Sequence, residues 1–333
     1  MNFLRKNWFL IGLVAVLVLG SQEAERLMVI ADRPFFRELV VASVMFLMAL
    51  PLQGELFVNT LLRPQGALLA SGMNYICLPL VALGLYYLLP EKEGLGLLVV
   101  AVVPSTLASA AVWTRRAGGN EAVAIMVTVL TNGSCFLATP LGVWLLIGQR
   151  VEIDLGVMVQ KLFWLVLLPI IAAQLARQSS KITMFSKHYK SLLSTLAQCG
   201  ILYIVLVGAV TIATPAGGAD LEVVEGGKKI NTVWGPKEWL GFGRLIAVTV
   251  GLHLIMWFFS FGCAKRLGFK RADQIAIGFS GSQKTLMVGL YIASVCHVTI
   301  LPMIIYHVGQ LFADTFLADW LKRKGSVLEE DNE

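Results

Sequence analysis

Ile275-Ala276-Ile277-Gly278-Phe279-Ser280-Gly281-Ser282-Gln283-Lys284-Thr285-Leu286-Met287-Val288-Gly289-Leu290 is an apolar segment interrupted at its centre by serines, an amide and a lysine. With its flanks (273–293) it is long enough to cross a hydrocarbon core, which takes about 20 helical residues. Polar groups at that depth are costly against lipid and are expected to line a cavity or meet partners from other segments. Two glycines within four residues weaken the helix at the same place. The segment therefore predicts a discontinuous membrane helix.

A second interruption lies at Val103-Pro104-Ser105-Thr106-Leu107-Ala108-Ser109-Ala110, in the middle of another apolar stretch (95–115). Proline removes a backbone donor and clashes with the preceding turn. The hydroxyls of Ser105, Thr106 and Ser109 are close enough to satisfy the freed groups or to coordinate a cation. A proline beside hydroxyls is also what a simple kink looks like. A lysine at membrane depth is harder to read as structural.

Outward from these two stretches the whole chain is apolar. Of its 333 residues 57% are hydrophobic and 14% charged, with mean hydropathy +0.74; a water-facing surface cannot accommodate that composition. Apolar windows fall near 8–22, 38–60, 67–89, 95–115, 121–147, 157–176, 192–213, 242–264, 273–293 and 297–320, too long and continuous for barrel strands. The fold class expected is an all-α polytopic membrane protein of ten spans. The long polar insertion at 214–241 reads as a loop, and 325–333 as a disordered acidic tail. Arg5 and Lys6 ahead of Trp8–Gly20 resemble a signal peptide, but Gly20-Ser21-Gln22-Glu23-Ala24 offers no clear small-x-small cleavage site. Basic residues gather in alternate connections (Arg115, Arg116; Arg177, Lys181, Lys187, Lys190; Lys265, Arg266, Lys270, Arg271), while Glu91, Glu93, Glu152 and Asp154 mark the others. The positive-inside rule then places both termini in the cytoplasm, in the plasma membrane or bacterial inner membrane, with the first helix retained.

The interrupted spans are the fourth of the first five and the fourth of the last five. An odd number of spans per half makes the halves, 1–147 and 148–324, inverted relative to one another, an arrangement of many secondary transporters. Arg115-Arg116-Ala117-Gly118-Gly119-Asn120-Glu121 leads from the first interruption into a span carrying Thr128, Thr131, Asn132 and Thr139. Asn120 suits an N-cap. The intervals of Asn120, Thr128, Thr131 and Thr139 suit either a polar stripe toward the broken helix or hydrogen bonding between helices.

Gly118-Gly119-Asn120-Glu121-Ala122, Ser280-Gly281-Ser282-Gln283-Lys284-Thr285-Leu286 and Leu301-Pro302 followed by Tyr306-His307 and Gln310 resemble the bile acid/sodium symporter family. The nearer branch is the one that includes vertebrate sodium/bile acid cotransporter 7 and bacterial relatives. The resemblance covers about 1–324 and is weakest in the long loop. It implies a panel domain and a core domain, with helices four and nine crossing in the core. It also implies ion contacts at Ser105, Thr106, Ser109, Asn120, Thr128, Thr131, Asn132, Ser282 and Gln283, with Ser109, Asn120, Thr131 and Gln283 as a sodium set; the interruptions themselves add Pro104, Ser280, Lys284 and Thr285 as candidate substrate or ion contacts. Sodium-coupled members carry a glutamate just before the ninth-span glutamine; here the region reads Phe279-Ser280, and Lys284 stands where those members have a small neutral residue. An ammonium repels a cation that a carboxylate would attract. Lys284 is thus expected either to replace a bound cation or to exchange protons.

The function expected is a secondary active transporter of a small, anionic organic solute, with sodium or a proton as the coupling ion and no other cofactor. The partners expected are that solute and the lipid bilayer, without nucleic acid. A receptor-like or regulatory protein on a carrier fold is the alternative. An intramembrane enzyme is disfavoured, since Glu55, His253, His307 and Asp314 are scattered without metal spacing. His307 and Asp314, two turns apart on one helix, are expected to make a polar contact with Lys284. The five cysteines form no C-x-x-C pair and read as buried small hydrophobes.

Overall fold

The computed structural model describes residues 2–31, 33–52, 64–151, 154–213 and 236–330, and among them every regular element is a helix. In chain order these are α1 (Asn2–Gln22), α2 (Ala24–Ala31), α3 (Pro34–Ala49), α4 (Gln65–Tyr86), α5 (Glu91–Val102), α6 (Ser109–Arg116) and α7 (Glu121–Ile147). There follow α8 (Leu155–Ala176), α9 (Ser180–His188), α10 (Lys190–Ala213), α11 (Pro236–Arg266), α12 (Arg271–Ser282), α13 (Leu286–Val295) and α14 (Leu301–Glu330). Among the described residues five helical stretches are long and apolar enough to cross a membrane: Gln65–Tyr86, Glu121–Ile147, Leu155–Ala176, Lys190–Thr211 and Leu240–Arg266. Large apolar side chains such as Ile76, Leu80, Leu145, Trp164 and Phe316 point outward, as a surface solvated by lipid tails requires and one solvated by water does not.

Both interrupted stretches are breaks between two helices. α5 ends at Val102, the chain runs irregularly to Ala108, and α6 begins at Ser109; α12 ends at Ser282 and α13 begins at Leu286. At the edges of the breaks Val103, Gln283 and Thr285 are extended (ψ 159, 144 and 130°).

Several boundaries differ from the sequence reading. Short helices α2 and α9 occupy stretches read as connections, α2 packing along α10. The apolar side of α2 (Ala24, Leu27, Met28, Ala31) packs with Val207 and Val210. α11 starts at Pro236, so the expected loop end at 241 is already helical; proline suits a first helical position. α14 runs to Glu330 over most of the stretch read as a disordered tail. Residues 214–235, 331–333 and the end of the second expected span (53–60) lie outside the described residues.

Two sets of helices pack mostly within themselves. α1, α2, α3 and α8 gather around α10 or one another, with Gly20 letting α1 approach α10: a Cβ there would lie 2.7 Å from that of Ala209. α4, α5, α6, α7, α11, α12 and α14 form the other set. The sets meet where α7 packs on α8 and where α13 packs on α10.

α4 and α8 share a local device. Each contains one π turn, Met73–Cys77 and Phe163–Leu167, followed by a proline, Pro79 and Pro169. In α4 the Leu78 N–H bonds to Met73 O, and Pro79 has no N–H to give. The Asn74 carbonyl is left without an intrahelical donor.

Candidate functional site

The two breaks cross, and their backbones touch: the Thr285 N–H donates to Pro104 O at 2.9 Å. An irregular backbone inside a membrane protein must find other partners for its polar groups, and the partners here are side chains from neighbouring helices. Thr139 donates to Val102 O at 3.0 Å, Asn132 to Ser105 O at 2.9 Å and Thr128 to Thr106 O at 3.0 Å, so α7 satisfies much of the first break. On the second break, Asn74 of α4 donates to Ser280 O (3.1 Å) and Gln283 O (2.9 Å), and Tyr306 of α14 to Ser282 O (2.5 Å). Gln310 serves both backbone groups of Lys284, accepting from its N–H and donating to its C=O, each at 2.9 Å. Its side-chain amide thus pairs with that peptide as a neighbouring strand would.

Lys284 is completely buried. Its Nζ donates to Ala101 O (2.7 Å) and, each at 2.8 Å, to Val103 O, Asn74 O and Asn74 Oδ1, with the Tyr75 ring 5.6 Å away. All four oxygens are acceptors belonging to neutral groups. A neutral amine would turn its lone pair on one of them, so the shell suits an ammonium. Two of the carbonyls end α5, where the helix dipole is negative, and Asn74 O is the carbonyl released ahead of Pro79. Asp314 does not pair with Lys284, in contrast to the sequence expectation, whereas His307 meets the Lys284 backbone; Gln310 holds that backbone toward α14, while the Lys284 side chain reaches α4 and α5.

Asp314 instead meets Gln283 and His253. Gln283 Nε2 donates to Asp314 Oδ2, and His253 Nε2 lies 2.9 Å from Asp314 Oδ1, all three residues being fully buried. Gln283 Oε1 accepts from Thr106 Oγ1 (2.7 Å) and Ser109 Oγ (2.9 Å). His307 Nδ1 is 2.9 Å from Gln310 Nε2. Asn74, His253, Tyr306, Gln310 and Asp314 complete the centre although they were not among the expected site residues. They come from three separate helices, and only the tertiary packing brings them together.

The expected residues separate into three groups. Pro104, Ser105, Thr106, Ser109, Thr128, Asn132, Ser280, Ser282, Gln283, Lys284 and Thr285 lie at the crossing. Thr131 Oγ1 donates within its own helix, to Val127 O at 2.8 Å. Asn120 brackets two helix starts: Oδ1 caps α7 by accepting from Ala122 N (3.2 Å), and Nδ2 donates to Asp273 Oδ1 (2.7 Å). Within the sodium set the Ser109 hydroxyl is spent on Gln283, and the oxygens of Asn120 and Gln283 already accept hydrogen bonds.

Beside the crossing is a cavity of about 300 Å³ between α7 and α8. Thr128, Val129, Asn132 and Gly133 form one wall, and Ile170, Gln174 and Gln178 form part of the other; Leu107 of the first break also lines it. Asn132 spends both amide hydrogens, on Ser105 O and Thr128 O, and its Oδ1 has no partner.

Broken helices crossing beside a cavity are carrier architecture, and sequence comparison agrees. The profile of the SBF-like CPA transporter family matches residues 7–222 and 227–323. The chain belongs to this family. Among similar proteins of the SBF-like set is the sodium/bile acid cotransporter 7-B of Xenopus laevis, 25% identical over 96% of this chain and 92% of its own length. The putative symporter YfeH of Escherichia coli is 28% identical over 72% of this chain and 68% of its own. The uncharacterized protein PA2026 of Pseudomonas aeruginosa is 28% identical over 77% of this chain and 75% of its own. This SBF-like chain is accordingly an integral membrane protein of a transporter family and not an enzyme.

Proposed function

We propose that the chain is a secondary transporter moving a small organic anion by alternating access, with Lys284 as a tethered cation at the crossing. The observation that carries this reading is the four-oxygen shell around Lys284 Nζ where two broken helices meet. A free cation would seek such a shell, and here the chain supplies one covalently. The relatives' names support a solute of the bile acid type, an amphipathic anion. The cavity wall, apolar with Thr128, Asn132, Gln174 and Gln178 interspersed, suits such a body.

In this reading ten spans form two inverted repeats, 1–147 and 148–324, in a plasma or bacterial inner membrane with both termini cytoplasmic. α1, α3, α8 and α10 make the panel; the helices around the crossing make the core. The cavity follows the later turns of α8, the end that the basic connection Arg177–Lys190 places inside, so the described state is open inward. Movement of the core against the panel at the α7–α8 contact would close it.

The test is counterflow in proteoliposomes, which needs no ion gradient: vesicles loaded with unlabelled taurocholate, or with a mixture of smaller monocarboxylates, take up the labelled compound. Exchange that Gly133→Leu removes by filling the cavity is the expected result. Absence of exchange for every probe would overturn transport and favour a receptor-like protein.

A further inference from the structure

The stretch from Arg177 to Lys190 reads Arg-Gln-Ser-Ser-Lys-Ile-Thr-Met-Phe-Ser-Lys-His-Tyr-Lys, with no acidic residue among four lysines and arginines. Most of it is α9, which bridges the ends of two spans: Ile182 packs with Ala173 of α8 and Leu193 of α10. Beside Ile182 on the inward side, Thr183 Oγ1 donates to Arg177 O (2.7 Å) and Ser186 Oγ to Thr183 O (3.0 Å). The polar groups of that side are thus spent locally. At 3.6 residues per turn Lys181, Met184, Phe185 and His188 share an arc of about 100° on the other side. All four are exposed, Met184 by 71% and Phe185 by 48%.

Water does not favour an uncovered methionine beside an uncovered phenylalanine, and lipid tails do not favour the lysines among them. A face that mixes the two suits the boundary between tails and headgroups, where lysine stems lie along the apolar layer and their ammonium groups reach outward. The neighbouring spans mark that boundary, since Leu175 near the end of α8 and Leu192 near the start of α10 are exposed apolar side chains. Charge then selects the headgroup. Among the described residues no carboxylate pairs with Lys181, Lys187 or Lys190, whereas Arg115, Arg116 and Lys161 are held by Glu121, Asp319 and Glu38. Three ammonium groups without a counter-charge in the protein require anions from outside it.

We propose that α9 is an interfacial helix that binds anionic phospholipid, with Met184 and Phe185 in the acyl layer and Lys181, Lys187 and Lys190 on the headgroup phosphates. The surface needs neither turnover nor a solute, so it stands apart from the transport reading. Its place gives it a consequence for the cavity. Gln178, which lines the cavity, directly precedes the Ser179 cap of α9, and Arg177 ties the same turn to the end of α3 by donating to Leu50 O (2.8 Å). Lipid held by α9 steadies this end of α8.

The deciding measurement is native mass spectrometry of the full chain, delipidated in detergent and titrated with dioleoyl phosphatidylglycerol or with phosphatidylcholine of the same chains. The wild type is expected to retain phosphatidylglycerol in preference. A lysine near an anionic surface contributes about fivefold, so Lys181→Gln, Lys187→Gln and Lys190→Gln should each cut the preference by about that factor, while Lys→Arg keeps it. Raising ammonium acetate from about 0.1 M to about 1 M shortens the screening length from about 10 Å to about 3 Å and should remove the preference. Met184→Ser combined with Phe185→Ser should weaken both lipids alike, because acyl contact is blind to the headgroup. All five side chains are exposed, so these variants should melt with the wild type. A preference unchanged in the triple Lys→Gln variant would overturn the proposal. Competition by millimolar glycerol 1-phosphate would overturn it in favour of a soluble phosphate ester. A wild-type dimer that the Met184 and Phe185 substitutions split would assign the face to a second copy of the chain, and the lipid would lose its place.

Discussion

Replacing Lys284 by methionine keeps an unbranched apolar side chain of similar reach and removes the ammonium. Four oxygens, Asn74 O, Asn74 Oδ1, Ala101 O and Val103 O, would then face one another without a donor. Leaving the four buried acceptors without a donor costs about 1–3 kcal/mol each, and relief of the desolvated ammonium offsets part of it, so a net loss of about 3–5 kcal/mol is expected. At about 2 °C per kcal/mol for a large chain, the apparent Tm should fall by about 6–10 °C. Thermal unfolding of the purified protein in detergent, read by tryptophan fluorescence, measures it. Lys284→Ala adds a sharper arm, because it empties the cage. Ammonium ions at tenfold excess over Kd would return about 1.4 kcal/mol, roughly 3 °C on the same scale, while choline, too large for the cage, returns nothing. The wild type should be indifferent to all of these ions. A Met variant that melts with the wild type, or an Ala variant equally stable in ammonium and choline, would refute the tethered-cation argument.

Three further outcomes follow from named contacts. Gln310→Leu strips both partners from the Lys284 peptide and should cost about 2–6 kcal/mol in the same melting assay, at about 1–3 kcal/mol per buried group left unsatisfied. Gly133→Leu should leave the melting temperature within about 1 °C while abolishing counterflow, because nothing lies within 4 Å of a Cβ at this position and the residue lines the cavity. The pair formed by Arg116 and Asp319 is bidentate (2.8 and 2.9 Å) but about two-fifths exposed, so Asp319→Asn should change stability by less than about 1 kcal/mol and leave counterflow intact.

The helical membrane class and both breaks were legible in the sequence because they rest on local signals. Proline at 104, the glycines at 278 and 281, and hydroxyls inside apolar runs each act within a turn or two. Thr128 and Thr139 were legible for the same reason, as polar positions on one stripe of a span, and both donate to carbonyls of the first break. The partners of Lys284 were not. Asn74 becomes a ligand only because a π turn ahead of Pro79 releases its carbonyl, and a Leu-Pro step in an apolar span reads as an ordinary kink. Asp314 and His253 lie on helices whose contact is tertiary, and the spacing of His307 and Asp314 on one helix suggested the wrong partner for Asp314 alone, since His307 does meet the Lys284 backbone. Asn120 kept its expected role as a cap, to which the structure adds the bond to Asp273.

A charge on a leash has no dissociation constant. An ion drawn from solution occupies its site for a fraction of the time set by its concentration, and a carrier that waits for one idles when the medium is dilute. The Lys284 headgroup is anchored four methylenes from its own backbone, so its local concentration is fixed by the chain and does not fall with the medium. The oxygens that hold it are served whatever the salinity outside. The same anchor also removes a degree of freedom: this charge cannot be released on the far side, so the energy stored in a gradient of that ion is out of its reach, and concentrative work must come from a particle that can leave.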